Sequence, residues 1–167
     1  MNFFPDTSFL CALYREQDNS ATARSFYQSL DGPLGISAAV GFEFRQSVRL
    51  QVFLNSRDST KGYRLAEATR VLAKFAQNLA AGALVIVPVD WPEVLLIAER
   101  ISVAHTIQGG HRSWDVLHVA TALQLGSKTL LSFDHRQRSL AAANGLAISP
   151  WAPLGKWLAT EARLSHF

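Results

Sequence analysis

The chain has 167 residues and a mass of 18.4 kDa, a length typical of one domain that buries a core without disulfides. Apolar residues make up 49% and charged residues 17% of the sequence, which excludes an intrinsically disordered chain and favours a layered α/β fold. The net charge of +3 and the pI near 9.4 indicate a mildly basic surface, which assists an encounter with a polyanion.

Short apolar runs alternate with amphipathic segments along the chain, which is the pattern of a parallel sheet wrapped by helices. Gly82, Gly126 and Gly145 follow three of the amphipathic segments and are expected to end them. The pattern predicts five strands, at residues 3–4, 34–36, 84–87, 129–131 and 146–148. The predicted helices cover residues 9–14, 21–30, 39–53, 63–81, 91–104, 114–125 and 137–144.

No repeat or linker divides the chain, so we predict one domain over residues 1–150. The segment 151–167 is predicted to be a C-terminal helical extension that packs on the domain or on a partner. Residues 106–111, which include two consecutive glycines, are predicted to form a loop.

The cellular compartment is predicted from three sequence features. The N-terminus lacks the basic start and apolar run of a signal peptide. The longest apolar run, Ala83 to Val89, is too short to span a bilayer. The single cysteine, Cys11, excludes an intramolecular disulfide and fits a reducing compartment. We therefore expect a soluble cytoplasmic protein without membrane association.

Two aspartates directly follow predicted strands. Asp6 comes after Phe3-Phe4-Pro5, and Asp134 follows the apolar run at residues 129–133. Ligands of parallel α/β sheets bind beyond the carboxyl ends of the strands, so both aspartates are candidates for a functional site. Each is also a suitable helix N-cap, and the sequence leaves both interpretations open.

Two further acids lie within predicted helices. Asp115 lies in the first helical turn, where a carboxylate is also favourable simply because it is near the positive helix end. Glu43 lies in the otherwise apolar segment 38–44, where a buried carboxylate needs a cation, an arginine or water. Arg45 and Arg49 are poorly spaced to pair with Glu43.

The four acids together predict a metal site. Carboxylates about 4 Å apart repel by roughly 4 kcal/mol per pair at an effective dielectric of about 20, so a cluster requires protons or a divalent cation. Oxygen donors suit Mg²⁺ or Mn²⁺ rather than Zn²⁺. One or two such ions activate a water and stabilise the leaving oxygen of a phosphodiester, which is nuclease chemistry.

Several segments of the sequence resemble the PIN-domain ribonucleases, and most closely the VapC-type toxins of bacterial toxin–antitoxin systems. Their order and spacing agree over nearly the whole chain except its end. The chain departs from the common pattern at Pro5, which shortens the hydrogen-bond ladder of the first strand, and in the tail after Pro150. The matching segments are Pro5 to Leu10, Ile36 to Glu43, Ser113 to Leu123, Leu130 to Asp134, Leu140-Ala141 and Gly145-Leu146.

The resemblance implies roles for individual residues. Asp6 and Asp115 would hold the principal Mg²⁺, with Mn²⁺ as a substitute. Glu43 would orient the ion or its waters, and Asp134 would complete the site or hold a second ion. All four would then be catalytic residues as well as metal ligands. Two neighbouring hydroxyls would support the acids by hydrogen bonds, those of Thr7 and Ser132.

The resemblance also implies a fold and partners. The fold would be a three-layer α/β/α PIN-like fold with a central parallel sheet of about five strands. The protein would form a homodimer and bind a VapB-like antitoxin, whose C-terminal segment covers the acidic groove.

Three other polar residues lie close to the acids in sequence. Arg112, just before Asp115, is a candidate for contacting RNA phosphate. His118 shares a helix face with Asp115, but we interpret it as a satisfied core histidine and leave it out of the site. His135 is a candidate for contacting phosphate, but a solvated helix start explains it equally well.

The predicted function is that of a Mg²⁺-dependent endoribonuclease toxin that cleaves structured RNA, such as tRNA or rRNA, and is neutralised by a cognate antitoxin. Two alternatives stay open: a PIN-domain nuclease in RNA maturation without an antitoxin, and a non-catalytic PIN module that binds RNA or protein. A haloacid-type phosphatase is disfavoured because Ser8 stands where a second aspartate is needed, and a receiver domain because His135 and Arg136 stand where its lysine is needed.

Overall fold

A computed structural model describes residues 1–150 of the protein as strands alternating with helices. The strands are β1 (Phe3–Pro5), β2 (Leu34–Ile36), β3 (Leu84–Ile86), β4 (Thr129–Leu131) and β5 (Ala147–Ser149). The helices are α1 (Thr7–Tyr14), α2 (Ser20–Gln28), α3 (Ala38–Arg57), α4 (Leu65–Ala80), α5 (Trp91–Gly109), α6 (Ser113–Gln124) and α7 (His135–Ala143).

All strand pairs in residues 1–150 are parallel, as predicted, but their hydrogen-bond ladders fall into two groups. One group has the order β1-β4-β5, and the other pairs β2 with β3. β1 and β2 lie beside each other without a ladder. The backbone N–H of Asp6 donates to Leu131 O in β4, so the nitrogen of Pro5 faces the opposite edge, toward β2. Because proline has no N–H, β1 has one donor fewer on that edge.

The core lies on both faces of the strands, which explains the α/β/α layering. All three residues of β2 are buried, as are Leu130 and Leu131 in β4, so neither face of these strands is open to solvent. This is the burial expected of parallel strands covered by helices. The fully buried side chains from the helices include Phe9, Leu10, Val40, Phe44, Val48, Phe75 and Leu140.

The end of α5 differs from the sequence prediction. The helix continues to Gly109 and ends at Gly110, whose left-handed φ of 62° suits a glycine cap. The predicted loop at residues 106–111 is therefore wrong for Thr106 to Gly109. The apolar periodicity fades there because the last turn faces solvent, as the 93% exposure of Ile107 shows. The helix extends past its buried stripe.

The predicted helical extension at 151–167 lies outside the described residues, so the boundary at residue 150 stays a prediction. Within the described part of the chain, no helix is long and apolar enough to cross a membrane.

Two neighbouring phenylalanines on α3 test the core assignment. Phe44 is fully buried, with its ring centroid 5.4 Å from that of Tyr14 and 4.9 Å from that of Phe75. Phe44→Ala is expected to lower the free energy of unfolding by about 3 to 5 kcal/mol in urea titrations, because the lost ring leaves a cavity. Phe42→Ala removes a ring that is 51% exposed and is expected to change it by less than about 1 kcal/mol. Equal losses would contradict the assigned burial.

Candidate active site

Asp6 lies at the carboxyl end of β1 and caps α1. Its carboxylate accepts the N–H of Phe9 at 2.8 Å, as the N-cap interpretation predicts. Ser132, which follows β4, donates its hydroxyl to Asp6 Oδ2 at 2.5 Å. Asp6 is nevertheless fully buried. The parallel pairing of β1 with β4 thus brings an acid and a hydroxyl together from opposite ends of the chain.

Ser8 is a residue of this site that the sequence analysis did not identify. Its hydroxyl lies 2.7 Å from Asp6 Oδ1 and 2.9 Å from Asp6 Oδ2, and it accepts the N–H of Phe133 at 2.8 Å. The available signal was a hydroxyl two residues after an aspartate at a helix start. Ser8 and Ser132 therefore hold the Asp6 carboxylate from two sides, and neither brings a charge.

Burial dominates the electrostatics of Asp6. It raises the pKa of this carboxyl from 3.8 to about 6, because removing water disfavours the charged form. Hydrogen bonds from Ser132 and from the Phe9 N–H lower the pKa but do not offset the burial. No ion pair found within residues 1–150 includes Asp6. The buried carboxylate therefore has no salt-bridge partner in the described part of the chain.

Glu43 projects from the first half of α3 and is partly exposed, with 28% of its side chain accessible. Its Oε2 accepts the hydroxyl of Thr7, the residue after Asp6, and lies 3.0 Å from His118 Nε2. Burial alone raises the pKa of Glu43, but the His118 ring and the Thr7 hydroxyl outweigh it and keep that pKa below its ordinary value. The partner that the apolar setting of Glu43 requires is thus His118.

Asp134 is exposed, and Ser132 connects it to Asp6 by hydrogen bonds. The Ser132 hydroxyl that donates to Asp6 also accepts the N–H of Asp134 at 3.0 Å. Asp134 caps α7 by accepting the N–H of Gln137 at 2.9 Å. The cap accounts for Asp134 Oδ1, and the carboxylate remains open to solvent at the same end of the sheet.

Asp115 is half-buried in the first turn of α6. Its Oδ2 accepts the N–H of Arg112 at 3.1 Å, which is the favourable electrostatics expected at a helix start. Its backbone carbonyl accepts Gln137 Nε2 at 3.3 Å. Arg112 is exposed at the N-cap of α6, so its guanidinium is free to meet a ligand from solvent.

A continuous set of contacts links the four predicted acids. Ser132 joins Asp6 to Asp134, and Gln137 joins Asp134 to Asp115. The ring of His118 lies between Gln137 and Glu43. The four acids are therefore connected through Ser132, Gln137 and His118, although no hydrogen bond joins one acid directly to another among the described residues.

A divalent cation fits the chemistry of these donors. The donors are carboxylate oxygens, and Asp6 in particular is a buried anion without an ion-pair partner in the described chain. Within residues 1–150, no three His, Cys, Asp or Glu side chains are close enough together to enclose an ion. Mg²⁺ commonly binds through only one or two carboxylates and keeps several waters, so a closed cage is not required.

Residues 3–143 match the PIN domain. The chain belongs to the PIN-domain family. This confirms the family and the fold class predicted from the sequence. The match includes all four predicted acids and ends before the predicted boundary of the domain. No curated protein has a significant sequence match to this chain.

Solved structures with the same PIN fold come from several bacteria. VapC20 of Mycobacterium tuberculosis, a sarcin-ricin loop cleaving toxin, is 21% identical with a TM-score of 0.60 over 89% of this chain and 100% of that chain. FitAcB of Neisseria gonorrhoeae is 20% identical with a TM-score of 0.62, over 89% and 96%. VapBC2 of Rickettsia felis, solved with a DNA fragment from its promoter, is 13% identical with a TM-score of 0.60, over 91% and 100%. These identities establish a shared fold.

The buried Asp6 carboxyl predicts a pH-dependent stability in metal-free protein. Its folded-state pKa of about 6 lies above the ordinary 3.8, so the folded protein holds the proton more tightly than the unfolded chain. The contribution to stability is full below pH 3.8 and is lost as pH rises through about 6. The loss is on the order of 3 kcal/mol.

Asp6→Asn removes this titration and keeps an N-cap side chain. In chelator-treated protein, the variant is expected to gain stability over the wild type in urea titrations at pH 8, and to gain much less at pH 4. Asp18→Asn, at an exposed position, is the matched control and should follow the wild type at both pH values. A stability difference for Asp6→Asn that does not depend on pH would refute the raised pKa.

Proposed function

We propose that this PIN-domain protein is a Mg²⁺-dependent endoribonuclease of the VapC type, a toxin that hydrolyses phosphodiester bonds in structured RNA such as tRNA or rRNA. The observation that carries the proposal is the buried Asp6 carboxylate at the carboxyl end of β1, which lacks an ion-pair partner among the described residues. Membership of the PIN-domain family supports it.

In this proposal the four acids are both the metal ligands and the catalytic residues. Asp6 and Asp115 bind the principal Mg²⁺ or Mn²⁺, Glu43 orients the ion or its waters, and Asp134 completes the site or binds a second ion. The bound ion supplies an activated water and charge stabilisation at the phosphate. Ser8 and Ser132 fix the Asp6 carboxylate by hydrogen bonds, and Thr7 fixes Glu43 in the same way.

The proposal includes protein partners, a VapB-like antitoxin and a second copy of the chain in a cytoplasmic homodimer. Two structures with this fold are VapBC complexes, from Rickettsia felis and Haemophilus influenzae. The surface of α5 supports a protein partner, because it exposes several large apolar side chains, as an interface commonly does. These are Leu95, Leu96, Val103 and Ile107.

Cleavage of RNA is expected to require a divalent ion and Asp6. Wild-type protein incubated with total RNA should cleave it with Mg²⁺ or Mn²⁺ and stop when EDTA is added. Asp6→Asn should lower the rate at least about 100-fold, whereas Asp18→Asn should match the wild type. Attack by water predicts products without 2′,3′-cyclic phosphate.

Metal binding gives a readout that does not depend on the RNA chosen. Mn²⁺ should raise the melting temperature of the wild type at pH 7.5 and leave that of Asp6→Asn unchanged, because a ligand that binds only the folded state stabilises it. If the wild type shows no cleavage and no stabilisation by metal, the enzyme proposal is refuted and a non-catalytic PIN module is favoured.

Arg112 is expected to bind RNA rather than to take part in hydrolysis. Arg112→Ala should raise KM for a cleaved RNA several-fold, leave kcat within about twofold, and reduce the salt dependence of binding, because one phosphate contact is lost. Arg70→Ala, an exposed arginine on α4, is the matched control for the loss of one positive charge. The same change in KM for both variants would mean that Arg112 acts only through net charge.

A further inference from the structure

We propose that His118 and Gln137 are positioning residues that fix the Glu43 carboxylate relative to Asp115 and Asp134. The inference rests on the proposed nuclease function, because it concerns how the acids of that site are arranged. It differs from the sequence interpretation of His118 as a satisfied core histidine. His118 does lie in the core, since it is only 4% exposed. Its hydrogen bonds are not all satisfied, however, because Nε2 has no hydrogen-bond partner within residues 1–150.

The side-chain amide of Gln137 determines which nitrogen of the His118 ring accepts a hydrogen bond. Gln137 is 3% exposed, and its Nε2 donates to the Asp115 carbonyl at 3.3 Å while lying 3.0 Å from His118 Nδ1. An amide nitrogen carries two N–H groups, so the second one faces Nδ1. Nδ1 must then accept, which leaves Nε2 as the ring nitrogen that donates. The reverse amide orientation would face its oxygen to the Asp115 carbonyl, with no proton between them.

The Nε2 proton of His118 faces Glu43. Nε2 lies 3.0 Å from Glu43 Oε2, but its N–H is not aligned for a full hydrogen bond, and Nε2 has no other hydrogen-bond partner within residues 1–150. A buried donor without an aligned acceptor is unfavourable, and a small rotation of Glu43 satisfies this one. The ring and the carboxylate therefore restrain each other.

Both restraints on Glu43 act on the same oxygen. Oε2 meets the Thr7 hydroxyl and His118 Nε2, and no contact within the described chain uses Oε1. The carboxylate is thus held by one oxygen from two directions, which leaves the other for a ligand. A buried histidine that only filled space would not need to lie at this oxygen.

Gln137 also ties the two other acids to this arrangement. Its backbone N–H donates to Asp134 Oδ1, and its side chain reaches the carbonyl of Asp115. One buried glutamine therefore connects α7 and α6, while His118 extends the connection to α3. Outer hydrogen-bond partners of this kind orient ligands, and removing one typically lowers metal affinity or activity by about 10- to 100-fold.

The test compares His118→Leu with His118→Gln in the full-length protein. His118→Leu removes both ring nitrogens, whereas the amide of His118→Gln can again donate toward Glu43. We expect His118→Leu to lower kcat on RNA and the Mn²⁺ affinity measured by calorimetry by about 10-fold or more, and His118→Gln to recover most of both. Gln137→Leu keeps the backbone N–H that donates to Asp134 and should also lower kcat and Mn²⁺ affinity.

Thr121→Val on α6 is the control for a buried polar group, because the Thr121 hydroxyl donates to the Leu117 carbonyl and not to the site. This variant should leave kcat and Mn²⁺ affinity within about twofold of the wild type.

A double-variant measurement separates positioning from packing. If His118 acts through Glu43, adding His118→Leu to Glu43→Gln should change kcat by less than about twofold further, because residues that act as a unit are not additive. Losses that multiply, or a His118→Leu protein equal to the wild type, would overturn the inference while leaving the nuclease intact. If His118→Leu does not fold, Gln137→Leu is measured instead, in the wild type and in Glu43→Gln, and the same comparison of kcat applies. A wild type that neither cleaves RNA nor binds Mn²⁺ would overturn the proposed function and the inference with it.

Discussion

The site depends on one constraint, the complete burial of an acid at the point where β1 becomes α1. Asp6 cannot move toward solvent, because its N–H is bonded to Leu131 and its side chain caps the helix that follows. The same ladder places Ser132 beside it. The position of the carboxylate is therefore fixed by backbone pairing and is as rigid as the sheet.

The other acids are placed by side chains rather than by the sheet. Asp115 and Asp134 lie at the starts of two helices, and Gln137 bonds to both residues. Glu43 is on a third helix, and within residues 1–150 its carboxylate has polar contacts with Thr7 and His118. A fully bonded buried polar network gives a unique arrangement, whereas a partly bonded one is unfavourable. In this network the 3.0 Å contact between His118 and Glu43 is close but not fully aligned, so the position of Glu43 depends on both side chains.

The sequence predicted the parts of the fold that have local causes. Alternation of apolar and amphipathic segments predicted all five strands and, within a few residues, all seven helices of the described chain. Proline at position 5 removes one donor from the edge of β1 that faces β2, and the absence of its N–H is a property of one residue. The error at residues 106–109 has the opposite origin. There the helix continues after its buried stripe has ended, so hydrophobic periodicity carries no signal.

The chemistry of the site was less visible because its contacts are long-range. Asp6 and Asp134 could be selected as residues that follow strands, and Glu43 as an acid in an apolar segment. Nothing local shows that the imidazole of His118 faces Glu43, or that Gln137, at an apparently polar helix start, is buried between two helices. Ser8 was overlooked because a serine near a helix start is ordinary, and only the fold shows that it holds Asp6.

Asp6 has no salt bridge among residues 1–150, although a cation lies within electrostatic reach. Arg138 is half-buried, and burial lowers the pKa of its guanidinium. The negative charge of Asp6 raises that pKa, but by less. Its Nη1 donates instead to the carbonyls of Ser132 and Pro150, at 2.9 and 3.1 Å. An arginine paired directly with Asp6 would stabilise the fold and cancel the negative potential. This guanidinium is held by carbonyls, and Ser8 and Ser132 contribute only neutral hydroxyls, so in the proposed nuclease a cation from solvent would recover the free energy lost on burying Asp6.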